Sequence, residues 1–188
     1  MAVGVSDKSV SPRLMAFIKG ESETVVALLG EGATRDLTAN WESPFEQDSA
    51  GGVFQKTGGL VQEHTGRTSK STLNSTQVWG GNVPHSFNLP LIFYALSDAY
   101  NEVQAAIIAL EQMTAPEVNA VMPGGRIPAL VAVSVGRMII YPECHIVSIS
   151  TDVSGPKSKD GYPLRAEVTL SVQTKSMLNA SDIPGSFR

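Results

Sequence analysis

Between residues 131 and 174 the chain alternates apolar and polar side chains again and again, and this pattern limits the fold more than any other. Its clearest run is Arg165-Ala-Glu-Val-Thr-Leu-Ser-Val-Gln-Thr. Ala166, Val168, Leu170 and Val172 fall on one face of a strand, and Glu167, Thr169, Ser171 and Gln173 on the other. A period of two means that one face is packed and the other is wet. Further strands are read at 127–135, 137–141 and 144–151, with Gly136 as a tight turn or bulge and Pro142 as a separator. Residues 154–161 read as a hairpin loop closed by Asp160-Gly161, with Lys157 and Lys159 beside it. Strands in a row with no catalytic cluster among them predict a sheet that presents a surface, so an assembly protein rather than an enzyme.

The same alternation occurs at 86–95, where Phe87, Leu89, Leu91 and Phe93 share a face. Pro90 has no N–H for a ladder, so it must stand at an edge or a bulge. The period then changes. Ala99, Val103, Ala106, Ile107, Leu110 and Met113 follow helical spacing, which predicts a helix at about 98–112 capped by Ser97 or Asp98, with Glu102 in its first turn. Earlier in the chain, 14–18 and 24–29 suit a hairpin around Gly20; a short helix at 25–29 is the alternative. Short strands are read at 37–43, 59–65 and 73–79, a glycine-rich loop at 49–59, and a turn at Gly80-Gly81-Asn82. Residues 1–36 read as an N-terminal extension, 37–178 as the main domain and 179–188 as a frayed tail. The fold class is α+β, mainly antiparallel β, a sheet or barrel with one packed helix.

The chain has 188 residues, enough for one domain and a core, with 42% hydrophobic and 17% charged residues. A net charge of −4 opposes tight binding to nucleic-acid phosphates. One cysteine, Cys144, forbids an internal disulfide, and the sequence predicts a small core residue there. Neither a signal peptide nor an apolar span of bilayer length is evident, so the expectation is a soluble, unsecreted protein with no membrane contact. His64, His85 and His145 lack metal-ligand spacing, and the acids Glu42, Glu46 and Asp48 lack a calcium-loop pattern. No nucleophile elbow or phosphate loop occurs. The expectation is no cofactor, no metal and no catalytic residue. Trp41 and Trp79 read as core or subunit-interface anchors. Two rivals stand beside the structural reading: a small thiol or serine hydrolase using Cys144 or a loop serine, and a monomeric module with an edge-strand binding site.

The landmarks follow an order: Asn40-Trp-Glu-Ser-Pro-Phe, Leu60-Val-Gln, Thr76-Gln-Val-Trp-Gly, Ser86-Phe-Asn-Leu-Pro-Leu-Ile-Phe, the helix, Val135-Gly-Arg, then Asp160-Gly-Tyr-Pro-Leu-Arg-Ala-Glu-Val. Across about residues 37–178 this order resembles the tube-type proteins at the distal end of contractile phage tails, the tube initiators and adaptors of the baseplate. The resemblance implies six-fold rings in which strands join between copies into a continuous barrel, with the helix outside the sheet. It implies a lumen that lets DNA pass without specific binding, neighbouring tube and baseplate proteins as partners, and a place in the virion after assembly in the host cytoplasm. Within that reading, a tail terminator or a tube ring of a phage-derived injection or secretion machine is the alternative. Glu167, Thr169, Ser171 and Gln173 would then face the lumen or pair between copies, and Lys157, Lys159, Asp160 and Gly161 would meet adjacent rings.

Overall fold

The structure is a computed structural model, and it describes residues 1–42, 76–119 and 123–187. The strand read at 59–65, the first three residues of that at 73–79, the 49–59 loop, His64, Glu46 and Asp48 lie outside the described residues. The described chain divides into two compact units, Met1–Asp36 with Pro84–Arg188, and Leu37–Val83.

The larger unit is built on eight strands: β1 (Ala2–Gly4), β2 (Met15–Lys19), β3 (Thr24–Leu29), β4 (Thr34–Asp36), β7 (Ser86–Tyr94), β8 (Val131–Val135), β9 (Ile139–Thr151) and β10 (Arg165–Thr174). Their order is β1-β3-β2-β8-β9-β10-β7-β4, and β3 also pairs with β7. That extra pairing closes β3, β2, β8, β9, β10 and β7 into a barrel of six strands. All of its ladders are antiparallel. In the smaller unit, β5 (Ala39–Glu42) and β6 (Val78–Asn82) form an antiparallel ribbon. Gly80, Gly81 and Asn82 therefore lie within a strand rather than in a turn, and a register shift beside Trp41 accommodates them.

Alternation builds the core. Ala166, Val168, Leu170 and Val172 of β10 are buried, as are Phe87, Leu89, Leu91 and Phe93 of β7. Ile18, Val25, Val131, Val133 and Tyr141 complete the same cluster. Inward positions of a closed sheet are filled by side chains, and this interior is an apolar core. Pro90 stands where its missing N–H costs nothing. Its carbonyl accepts the Gly30 N–H at 2.7 Å, so its nitrogen faces the gap between β4 and β3 on the same side of the strand.

The two strands expected on either side of Pro142 are one strand, β9. Register shifts between Val131 and Val133 of β8 and between Ser171 and Val172 of β10 absorb an extra residue of β9 at each place. The inward set changes phase accordingly, from Ile139 and Tyr141 to Cys144.

Residues 1–36 are not an appendage. They supply four strands of the larger unit, two of them in the barrel, because β3 and β7 each leave half an edge free for β1 and β4. The tail is also docked through residues up to 187. Arg35 donates to Tyr141 Oη at 2.7 Å and to Ser186 Oγ at 2.9 Å, and its guanidinium lies 4.2 Å from the centre of the Phe187 ring. Ser186 is consequently buried.

The helix α1 has a π-helical opening at Tyr100–Gln104 and a regular course at Ala105–Thr114. Val103, Ala106, Ala109 and Leu110 are buried, and Ile107 is half-buried against the core. It touches β1 and β3 on one side and β9 on the other. Those strands stand on opposite walls of the barrel, so α1 covers one end, beside the β2–β3 hairpin, instead of lying outside the sheet.

Leu170 is fully buried between two paired strands. L170A should cost about 2–5 kcal/mol in a urea titration, and L170D should give no cooperative unfolding transition.

Candidate functional site

Outward residues of β9 and β10 form a regular surface. Glu167 and Thr169 are exposed, and Ser171 and Gln173 are half-buried. Arg165 donates to Glu167 at 2.6 Å. Every residue of 165–173 pairs with β7, and 168–174 pair with β9, so β10 has no free edge. Its outer face is wet, while the inside of the barrel is filled. The strand therefore offers side chains for contact, not backbone.

The backbone is offered by β9. Its pairing with β8 ends at Cys144, and among the described residues no strand continues on that side along 145–151. The Asp152 N–H donates to the Glu167 carbonyl at 2.9 Å, and Ser150 pairs with Thr169. Alternate residues face alternate sides, so Ile149 and Thr151 turn their N–H and C=O groups away from β10. The segment His-Ile-Val-Ser-Ile-Ser-Thr is β-branched, free of proline and without a formal charge when His145 is neutral. Val147, the residue bulged out at the register shift, is 59% exposed. An edge of this composition lacks the lysines, prolines and inward charges that normally blunt strand addition.

Beyond β9, the loop before β10 is ordered by its own turns. Gly161 donates to the Ser158 carbonyl at 3.0 Å with φ +86°, which explains the glycine at the turn. Tyr162 packs edge-on against Tyr100 of α1, ring centres 5.5 Å apart. Lys157 and Lys159 belong to this loop, and Asp160 and Gly161 are exposed at its tip.

The most strongly perturbed carboxylate among the described residues has a structural explanation. Glu102 is buried and accepts from the N–H groups of Leu96 at 2.6 Å, Ser97 at 3.0 Å and Asp98 at 3.2 Å. The hydroxyls of Ser97 and Ser6 donate to it as well. Burial opposes its charge, but the donors, Ser6 first, outweigh it and hold the carboxyl down to about 2. Glu102 thus ties α1 to its entry loop and to the N-terminal segment, while Asp98 caps the helix through the N–H groups of Tyr100 and Asn101. Sequence reasoning assigned Glu102 only to the helix dipole; the link to Ser6, 96 residues away, left no local trace.

The residues weighed for chemistry do not converge. Cys144 is buried without exposure, and burial pushes its thiol up to about 12, far from a reactive thiolate. His145 is its neighbour on the strand and exposed on the other face. His85 is buried at the opposite end of the barrel from α1, against Phe87 and Tyr141. No group of three metal-ligating side chains occurs among the described residues, and none of their helices is long and apolar enough to cross a membrane. Trp41 and Trp79 are cross-strand partners on the β5–β6 ribbon and remain more than half exposed.

No family model matches the chain, and no curated protein is similar to it.

Two outcomes follow from these environments. Because the folded value of Glu102 lies below its ordinary 4.5, its ionised form contributes stability above that pH, and the contribution is lost as the pH falls toward about 2. E102Q should cost about 2 kcal/mol at neutral pH and flatten the acid limb; urea titrations at pH 7 and at acid pH read both. Cys144 should resist a thiol reagent in the native chain and react fully in denaturant.

Proposed function

We propose that this chain is a structural protein of a contractile tail, a tube-type component of the baseplate that assembles into a six-fold ring and templates the stacking of tube upon it. The observation that carries the reading is the edge of β9 along 145–151, which no strand among the described residues pairs, beside a barrel whose interior is already full. Such a molecule has nothing to enclose by itself, and its long strand gains backbone hydrogen bonds by pairing with a second copy. A channel in this assembly lies between copies, faced by polar outward positions such as Glu167, Thr169, Ser171 and Gln173. The negative net charge lets DNA pass without holding it.

The resemblance supports the same reading. Those of its landmarks that lie among the described residues are Asn40 and Trp41 on β5, Trp79 on β6, residues 86–93 along β7, Gly136 and Arg137 at the β8–β9 turn, and 160–168 leading into β10. In the ring, copies add to one another at the β9 edge, and the loop bearing Lys157, Lys159, Asp160 and Gly161 reaches the adjacent ring. The barrel itself needs no partner strand, because β3 and β7 close it within the chain. Pairing between copies extends the sheet outward from β9.

The test separates folding from assembly. T151P removes an N–H that faces away from β10, so the isolated chain should keep its circular dichroism and its cooperative unfolding. Rings visible by negative stain, in the presence of the neighbouring tail components, should be lost. T169P should instead prevent folding, because β10 is paired on both sides. Intact rings from T151P would overturn the proposed use of the β9 edge.

A further inference from the structure

Among the described residues, His85 is a buried polar side chain that nothing in the fold above uses. It stands just before β7, and its carbonyl accepts the Thr174 N–H at 2.9 Å, which ties the backbone there to the end of β10. The imidazole is 2% exposed and lies against two rings: Phe87, nearly parallel with centres 6.5 Å apart, and Tyr141, with centres 5.9 Å apart. Its Nδ1 has no hydrogen-bond partner. A buried polar atom left unpaired is costly, and the cost rises steeply if the group becomes charged.

Arg35 is the charge that faces this imidazole. It pairs with Phe87 across the β4–β7 ladder and so shares that residue's inward side. Its guanidinium lies 5.4 Å from the centre of the Tyr141 ring, donates to Tyr141 Oη, and holds the C-terminal segment through Ser186 and the Phe187 ring. The other titratable groups of the adjoining elements turn elsewhere or stay neutral. Asp36 pairs with Ser86, and His145 with Gln173, and both are exposed at outward positions. Glu143 and Lys175 bind each other at 2.9 Å, each side chain more than half exposed. Cys144, buried across the ladder from Thr174, is a neutral thiol. In the C-terminal segment Asp182 accepts from Asn179 at 3.1 Å. None of these carboxylates is placed to offset a proton at His85. Burial first, and Arg35 second, hold the imidazole below its ordinary 6.5.

We propose that His85 and Arg35 form a pH-operated latch on the C-terminal segment. With His85 neutral, Arg35 lies over Tyr141 and keeps Ser186 and Phe187 docked. A proton on His85 places a second cation in the same enclosure, and one of the two must reach water. Arg35 is the one that can leave. Its strand, β4, is three residues long and pairs only with β7 among the described strands, whereas His85 is fixed between β7 and the end of β10. As Arg35 leaves, it drops Ser186 and Phe187, and residues 183–187 lose that anchor. The undocked form binds the proton more tightly than the docked one. Docking is therefore favoured above pH 6.5 and is lost as the pH falls through the lowered value of His85. The latch lies within one chain and does not depend on how copies meet.

An NMR titration of the isolated full chain, from about pH 8 to about pH 5, tests it. The Ser186 and Phe187 amides should move from docked to coil positions with the same midpoint as the His85 ring, below 6.5. The Val168 and Leu170 amides should stay in place, which separates release of the tail from acid unfolding. In H85Q the Ser186 and Phe187 amides should keep their docked positions throughout. In R35M they should lie at coil positions at every pH, and the His85 ring should titrate at a higher pH than in the parent. If H85Q does not fold, the parent chain alone decides, because the ring and the two amides must share a midpoint. Amides that stay docked across the range, a midpoint that differs from that of the ring or survives in H85Q, or movement of the whole sheet together would each overturn the proposal.

Discussion

The whole larger unit depends on a short closure. Leu28 and Leu29 of β3 meet Ile92 and Leu91 of β7, and the Gly30 N–H donates to the Pro90 carbonyl. These contacts turn an eight-stranded sheet into a barrel and bury the inner faces of β7 and β10 against those of β2, β3 and β8. The closure is short because the strands are staggered. β7 pairs with β4 at its beginning and β3 near its end, while β3 pairs with β1 at its beginning and β7 at its end. Gly30 lies at the tightest point, where a Cβ would come within 3.3 Å of both the Pro90 carbonyl and the Ile92 side chain. Proline in β7 is tolerated at the one place where the adjoining strand has run out.

Stagger also leaves the β9 edge without a partner strand among the described residues. A barrel wall of five-residue β8 beside thirteen-residue β9 cannot be matched along its length. The surplus of β9 carries β-branched residues and serines instead of charges. Closure and edge are thus two consequences of one mismatch in strand length, and α1 covers the end where the mismatch opens the barrel. Glu102 holds that cover in place from its first turn, through donors on both the entry loop and the N-terminal segment.

Much of this was legible from periodicity. The alternation at β7 and β10 places Phe87, Leu89, Leu91, Phe93, Val168, Leu170 and Val172 inward, because a period of two has one physical meaning on a packed sheet. The helix was legible for the same kind of reason, although Ile107 is only half-buried against the core and Ala109 is buried as well. What local patterns could not carry were the pairings between distant segments. β1 is three residues long and parallel to β3, too short to show any period. The docking of the C-terminal tail rests on Arg35, 151 residues from Ser186. In β9 two bulges shift the phase of burial, so one strand looked like two separated by Pro142. The candidate surface was half legible: the polar face of β10 could be read directly, but the flank of β9 that no described strand pairs exists only because β8 stops.

Amide hydrogen exchange at the edge of β9 tests the central claim most directly. In the isolated chain the Ile149 and Thr151 amides should exchange quickly while Ser150 and Thr169, bonded across the β9–β10 ladder, are protected. In the assembled particle Ile149 and Thr151 should become protected as well. Exchange at these two amides that is equally fast before and after assembly, or already slow in the isolated chain, would contradict the account.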